Sequence, residues 1–216
     1  MNTLNKLVNL LTPYVKDKTP VAESKIWQFV HEKNIFLRED HLNFLMEFGF
    51  EVQNGRVQIF KNYGGDFDFE QFARVYTQNH PDMALPNGYT YFGSTFVGEA
   101  YCIEHESGKI FTYDSGERYD LVHESIAGFL LNCFLIKDYE SAFANTTARQ
   151  DLDLEFFTKF RSTNENGKIN EATRFEDSSG QINVDSEFYS IDRQLIKLFL
   201  PRRAMVTMSG GILDQL

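Results

Sequence analysis

The sequence predicts an α+β protein: an antiparallel sheet built as a meander and packed by helices, with a mainly helical N-terminal part and a C-terminal extension. Three observations predict it. Apolar residues recur at helical spacing through the first fifty residues. Strand-like runs at Glu99 to His105, Lys109 to Asp114 and Arg118 to Val122 are joined by Ser107-Gly108 and Ser115-Gly116, two turn dipeptides eight residues apart. An amphipathic segment follows, with Ile126, Phe129, Leu130, Cys133 and Phe134 on one helical stripe.

The elements follow in order. Leu4, Leu7, Val8 and Leu11 mark a first helix stopped by Pro13, and Pro20 precedes a second containing Ile26, Phe29 and Val30. A third spans about Glu39 to Phe48, with Leu42, Leu45 and Met46 inward and Gly49 as its stop. Phe50 to Gln53 and Arg56 to Phe60 flank Asn54-Gly55, which predicts a hairpin. After a Tyr63-Gly64-Gly65 turn, Asp66 or Asp68 caps a helix through Phe69, Phe72, Ala73 and Tyr76, and a strand over Tyr89 to Phe96 enters the meander. Centring the first meander turn on Ser107-Gly108 pairs Ile103 with Thr112 and Cys102 with Tyr113. Neither face is then cleanly apolar, so both are expected to be covered. Beyond it, Asp151 to Phe160 predicts a short helix, Ser162 to Ser186 a polar, turn-rich stretch, and Phe188, Ile191, Leu195, Leu198 and Phe199 a final helix ended by Pro201. Domain organisation is expected as residues 1–140 in the α+β domain and 141–216 as a mainly helical extension packed on it.

Composition bounds the function. The chain has 216 residues, 42% hydrophobic, and a formal net charge of −10, which fits an ordinary globular protein able to bury a core. Its longest apolar runs fall far short of the roughly 20 residues that span a bilayer, and the first residues form no apolar leader. Two cysteines, Cys102 and Cys133, suit a reducing compartment; a cytoplasmic protein without membrane attachment is expected. Residues 40–138 carry 15 Asp and Glu against 6 Lys and Arg. Such a segment repels a phosphate backbone and attracts a basic protein surface, so nucleic acid is disfavoured as a partner. Three helices and a hairpin are also the order of a winged helix, but residues 39–47 offer no Arg or Lys to a major groove.

Candidate chemistry is sparse. Cys102 with His105 or His123 could form a nucleophilic pair, yet no oxyanion turn or orienting group accompanies them, and a buried structural thiol is expected. His31, His41 and His80 are assigned surface or cap roles. Asp66-Phe67-Asp68-Phe69-Glu70 lacks the glycine and later glutamate of a calcium loop and suits a helix N-terminus. No phosphate loop, dinucleotide fingerprint or metalloprotease histidine pair is present, so no catalytic residue, cofactor or metal is assigned and a non-enzyme is expected.

The run Tyr91-Phe92-Gly93-Ser94-Thr95-Phe96-Val97-Gly98-Glu99-Ala100-Tyr101, continuing through Gly108 and ending with Ser125-Ile126-Ala127-Gly128-Phe129-Leu130, resembles the SUKH superfamily over about residues 63–138. That superfamily joins Syd-like proteins, herpesvirus and fungal cell-wall regulators, and bacterial immunity proteins. The resemblance implies a protein that binds and neutralises a cognate toxin, often a nuclease. A basic toxin would meet acidic residues around the meander: Glu99, Glu104, Glu106, Asp114, Glu117 and Asp120. The fungal relatives imply an alternative, an intracellular scaffold or regulatory module.

Overall fold

A computed structural model describes residues 2–49, 57, 59–60, 66–78, 85–95, 98–114, 117–135, 140–176 and 182–216. Among them are six α-helices, α1 (Thr3–Leu11), α2 (Glu23–Glu32), α3 (Glu39–Phe48), α4 (Phe69–Gln78), α5 (Ile126–Phe134) and α6 (Leu154–Asn164). Nine strands accompany them: β1 (Tyr89–Ser94), β2 (Ala100–Glu104), β3 (Ile110–Asp114), β4 (Glu117–His123), β5 (Asn145–Arg149), β6 (Lys168–Glu176), β7 (Ile182–Ile191), β8 (Gln194–Phe199) and β9 (Ala204–Ser209). The fold is α+β with antiparallel strand pairing, as the sequence predicts. No described helix is long and apolar enough to cross a membrane. The Asn54-Gly55 hairpin, the Tyr63-Gly64-Gly65 turn, the Ser115-Gly116 turn and His80 lie outside the described residues.

The chain divides differently from a split at residue 140. One compact unit is Val15–Ile126, and the other joins Met1–Tyr14 to Ala127–Leu216. In the first unit, α3 buries His41, Leu42, Phe44, Leu45 and Phe48, and its C-terminal Gly49 N–H bonds the Leu45 carbonyl at 2.9 Å. Asp68 caps α4, its Oδ1 accepting from the Glu70 and Gln71 N–H groups at 3.0 Å each. The rings of Phe44, Phe60, Phe67, Phe72 and Phe92 gather with His41 between the helices and β1. His41 is only 1% exposed, against the surface role expected of it; its neighbour Leu42 and the next turn's Phe44 and Leu45 are buried too, so this helix is covered on a broad arc rather than a narrow stripe.

Strands β1 to β4 pair consecutively, with a bulge between Tyr91 and Gly93. The β2–β3 register differs from the expected one: Cys102 faces Phe111 and Ile103 faces Ile110. The connection is a four-residue loop, His105 to Gly108, closed by Glu104 N–H to Lys109 O and Gly108 N–H to Glu104 O at 2.9 Å each, with Gly108 at φ +74°. A shift of two residues preserves side-chain parity. Ala100, Cys102 and Phe111 on one face and Ile103 and Ile110 on the other are all buried, so both faces are covered as anticipated.

In the second unit the strands run in the order β6-β7-β8-β9-β5. The final helix expected over Phe188 to Phe199 is instead the end of β7, a two-residue turn and β8, with Ile191 opposite Gln194. Asp192 and Arg193 both have positive φ, +47° and +60°, the signature of a type I′ turn. The polar stretch Ser162 to Ser186 resolves into the end of α6, then β6 and part of β7. The extension is therefore largely strand, not mainly helical. Its sheet is apolar on both faces: Tyr189, Ile196 and Leu198 pack with Leu152 and Phe157 of the α6 region, while Phe188 and Leu195 are buried on the opposite side. Two-sided burial removes the alternation that marks a strand and leaves apolar residues at spacings a helix also satisfies. α1 packs against β6 and the turn at Gly211–Gln215 through Leu4, Leu7, Val8 and Leu11.

Candidate interaction face

The six acidic residues singled out from the sequence do not gather in one place. Glu104 ends β2, and Glu106 lies in the turn after it; Glu99 precedes the opposite end of β2, five residues from Glu104 along the chain, about 17 Å away at the rise of a strand. Asp114 and Glu117 are register partners where β3 meets β4, at that same far end, and their side chains lie outside the described ones. Asp120 is half-buried within β4, its backbone N–H bonding the Thr112 hydroxyl at 3.2 Å. The six positions are thus spread over both ends and the middle of the meander.

Their local roles differ as well. Glu104 accepts from Tyr89 Oη at 2.7 Å on Oε1 and from Ser107 Oγ at 2.5 Å on Oε2, so both oxygens hold the turn. Glu106 is exposed. Glu99 closes the β1–β2 connection: its carbonyl accepts the Thr95 N–H at 2.8 Å and its N–H donates to Thr95 Oγ1 at 3.1 Å.

The β2–β3 turn is braced from an unexpected quarter. Helix α2 ends in a Schellman arrangement, with Ile35 N–H to Val30 O at 2.9 Å, Asn34 N–H to His31 O at 3.3 Å, and Asn34 at φ +52°. That reversal places Phe36 at the surface, 54% exposed, and aims Arg38 at the turn. Arg38 Nη1 donates to the His105 carbonyl at 2.6 Å, and its Nε and Nη2 straddle the Asp40 carboxylate at 3.0 and 3.4 Å. Gly108 is favoured here by its φ of +74°, and a Cβ would stand 2.8 Å from Arg38 Nη2, so the arginine head would have to shift. Phe36 lies 4.4 Å, centroid to centroid, from the His105 ring. Sequence reading missed Phe36 and Arg38 because His105, which both of them meet, is 67 or more residues away and no local pattern announces the contact.

Among the described residues, Cys102 and His123, two members of the candidate nucleophilic set, are both buried. Cys102 is fully buried, and burial pushes its thiol up to about 12. Burial likewise lowers His123 to about 3. Burial lowers His105 too, assisted by the Arg38 charge and opposed by a hydrogen bond with the Tyr89 backbone. Among the described residues no group of three His, Cys, Asp or Glu side chains could hold a metal ion.

The second unit contains the densest ionic network. Glu187, 3% exposed, accepts from Arg161 Nε at 2.9 and 3.2 Å, from Lys168 Nζ at 3.3 Å and from Tyr189 Oη at 3.0 Å. Burial works to raise the Glu187 carboxyl, but the Arg161 hydrogen bond and the two cationic charges outweigh it and hold the group below its ordinary range. Every oxygen is occupied by this chain's own donors, which makes the network a brace between α6 and the sheet.

No family model matches the chain, and neither does any curated protein or solved structure.

Proposed function

We propose that the protein is a non-enzymatic, cytoplasmic binding protein of SUKH type that neutralises a cognate basic toxin by covering its active surface. The observation that carries this reading is the β2–β3 turn: a braced, preorganised tip that presents an exposed aromatic ring, Phe36, beside an exposed carboxylate, Glu106, on a chain of net charge −10. An aromatic anchor with little conformational freedom and a complementary field are what a tight, fast-associating protein partner needs. The acidic sequence motif Tyr91 to Glu104 supports the same assignment through its resemblance to immunity proteins.

The test is a tagged pull-down from the native strain's lysate, with mass spectrometry of what co-purifies in near-stoichiometric amount. One basic, toxin-like polypeptide is expected, in a 1:1 complex whose association rate falls with added salt. Recovery of housekeeping proteins in its place would overturn the immunity role in favour of a scaffold. With the toxin in hand, Glu106→Lys should slow association more than it speeds dissociation.

A further inference from the structure

Strand β5 is an open edge. It ends the β6-β7-β8-β9-β5 order and is paired on one side alone, by β9. All five of its residues, Asn145 to Arg149, are exposed. The direction of its backbone groups follows from the Asp192-Arg193 turn. Ile191 and Gln194 flank that two-residue turn and exchange both hydrogen bonds, so Gln194, Ile196 and Leu198 turn their N–H and C=O groups towards β7. The alternation carries through the unbroken registers of β8 on β9 and of β9 on β5. Asn145, Thr147 and Arg149 therefore bond β9, while the N–H and C=O groups of Thr146 and Ala148 point away from it. Among the described residues these four groups have no hydrogen-bond partner. The edge strand of the other unit is treated differently: on β1 the Tyr91 N–H is taken by Tyr76 Oη at 3.1 Å. Nor does β5 contain the proline or bulge that commonly blunts an edge.

We propose that β5 is the seam of a homodimer, in which the β5 strands of two copies pair antiparallel about a twofold axis through Thr147. Thr146 of each copy then exchanges both main-chain hydrogen bonds with Ala148 of the other, the two Thr147 residues face each other, and Asn145 faces Arg149. A second copy fits this edge for three reasons. The facing pairs are compatible, since a threonine pair is favourable on a sheet face and no like charges meet. Residues 144–150 carry one arginine and no carboxylate in a chain with 31 Asp and Glu and a net charge of −10, so two copies meet little repulsion here. Helix α6 begins at the same edge: the Arg149 guanidinium lies over the Phe156 ring at 5.2 Å, and Leu154, two residues earlier, is 68% exposed. A twofold normal to the sheet sets α6 of both copies on one face, flanking the seam, and gives each uncovered leucine an apolar neighbour across it. Five residues make a small interface, so association is weak and reversible. The seam is independent of the toxin-binding tip, whose Phe36 and Glu106 belong to the other unit.

The test is sedimentation equilibrium of the full-length protein from about 1 to about 500 μM, where a weak interface of this size should show a reversible monomer–dimer transition. Ala148→Pro leaves the β9 ladder whole, because the N–H it removes points outward, and should weaken dimerisation about tenfold by deleting two of the four seam bonds. Thr147→Lys and Thr147→Glu each set like charges face to face at the twofold and should each associate less than the native chain, whereas an equimolar mixture of the two should recover dimerisation. Recovery by mixing cannot come from a damaged fold, so it decides the matter even where Ala148→Pro fails to fold. A native chain that stays monomeric throughout, a dimer that these variants leave unchanged, or a mixture no tighter than its components would each overturn the seam.

Discussion

Asn170 and Gly128 meet more closely than any larger pair could. The Asn170 amide donates to the Gly128 carbonyl at 3.3 Å, and a Cβ at position 128 would stand 2.3 Å from Asn170 Oδ1. Helix α5 is apolar around most of its circumference, and this glycine sets how near it lies to β6. Gly128→Ala should therefore cost about 2 kcal/mol of stability by forcing the two elements apart. Chemical denaturation of Gly128→Ala, Asn170→Ser and the double variant checks it. Strict additivity in that cycle would show that the two positions do not collide.

His41 makes the first unit sensitive to acid. Its ring is buried among Phe44, Phe72 and Phe92 with no hydrogen bond to either nitrogen among the described residues, and burial lowers its pKa to about 3. The unfolded chain binds a proton here near the ordinary value of 6.5, so stability falls as the pH drops below that value and goes on falling to about 3. This residue alone contributes a slope of about 1.4 kcal/mol per pH unit in that window. Between pH 6 and pH 4, urea midpoints of His41→Leu should decline less steeply than those of the native chain. Parallel declines would place the acid sensitivity elsewhere.

The Glu187 brace should behave asymmetrically. Arg161→Ala leaves a buried carboxylate with Lys168 as its remaining cation and is expected to destabilise by about 2 kcal/mol. Because the folded pKa of Glu187 is depressed, its contribution is present above the unfolded value of about 4.5 and is lost as the pH falls through the lower, folded one. Arg161→Ala should accordingly be most damaging at neutral pH and nearly silent in strong acid. A loss that does not change with pH would mean that the arginine acts by packing its stem.

The Asp192-Arg193 turn offers a gain. Both residues hold positive φ, a conformation that glycine adopts without steric cost. Arg193→Gly should raise stability by about 1 kcal/mol, seen as a higher thermal midpoint, since the arginine is exposed and gives up little. A lowered midpoint would show that the Arg193 side chain contributes more than the strain removes.

This turn also marks where the sequence ceased to be legible. Helices α1 to α5, the three meander strands and a cap on α4 from Asp66 or Asp68 follow from spacing and local chemistry, because each depends on residues within a few positions of one another. Asp192-Arg193 lacks the Asn or Gly that advertises a type I′ turn, so β7 and β8 read as one apolar helix. The register of β2 on β3 was missed by two residues for a related reason: Gly108, rather than sitting in a two-residue turn with Ser107, closes a four-residue loop against Arg38. The candidate face was legible in its charge and not in its shape. Glu106 could be counted from the sequence, whereas Phe36 reaches the surface through the Asn34 reversal, and Arg38 meets the His105 carbonyl 67 positions away.

One compact unit takes its first helix from one end of the chain and its sheet from the other. During synthesis at about 5 to 20 residues per second, α1 leaves the ribosome on the order of 10 to 40 seconds before the strand and turn it packs against. Its stripe of Leu4, Leu7, Val8 and Leu11 spends that interval without a native partner. The Val15–Ile126 segment, by contrast, is complete before β6 (Lys168–Glu176) has been made. Nascent-chain experiments should therefore find the meander protected from protease while α1 is still open to cleavage or held by a chaperone, and the final residues of the chain should release both together.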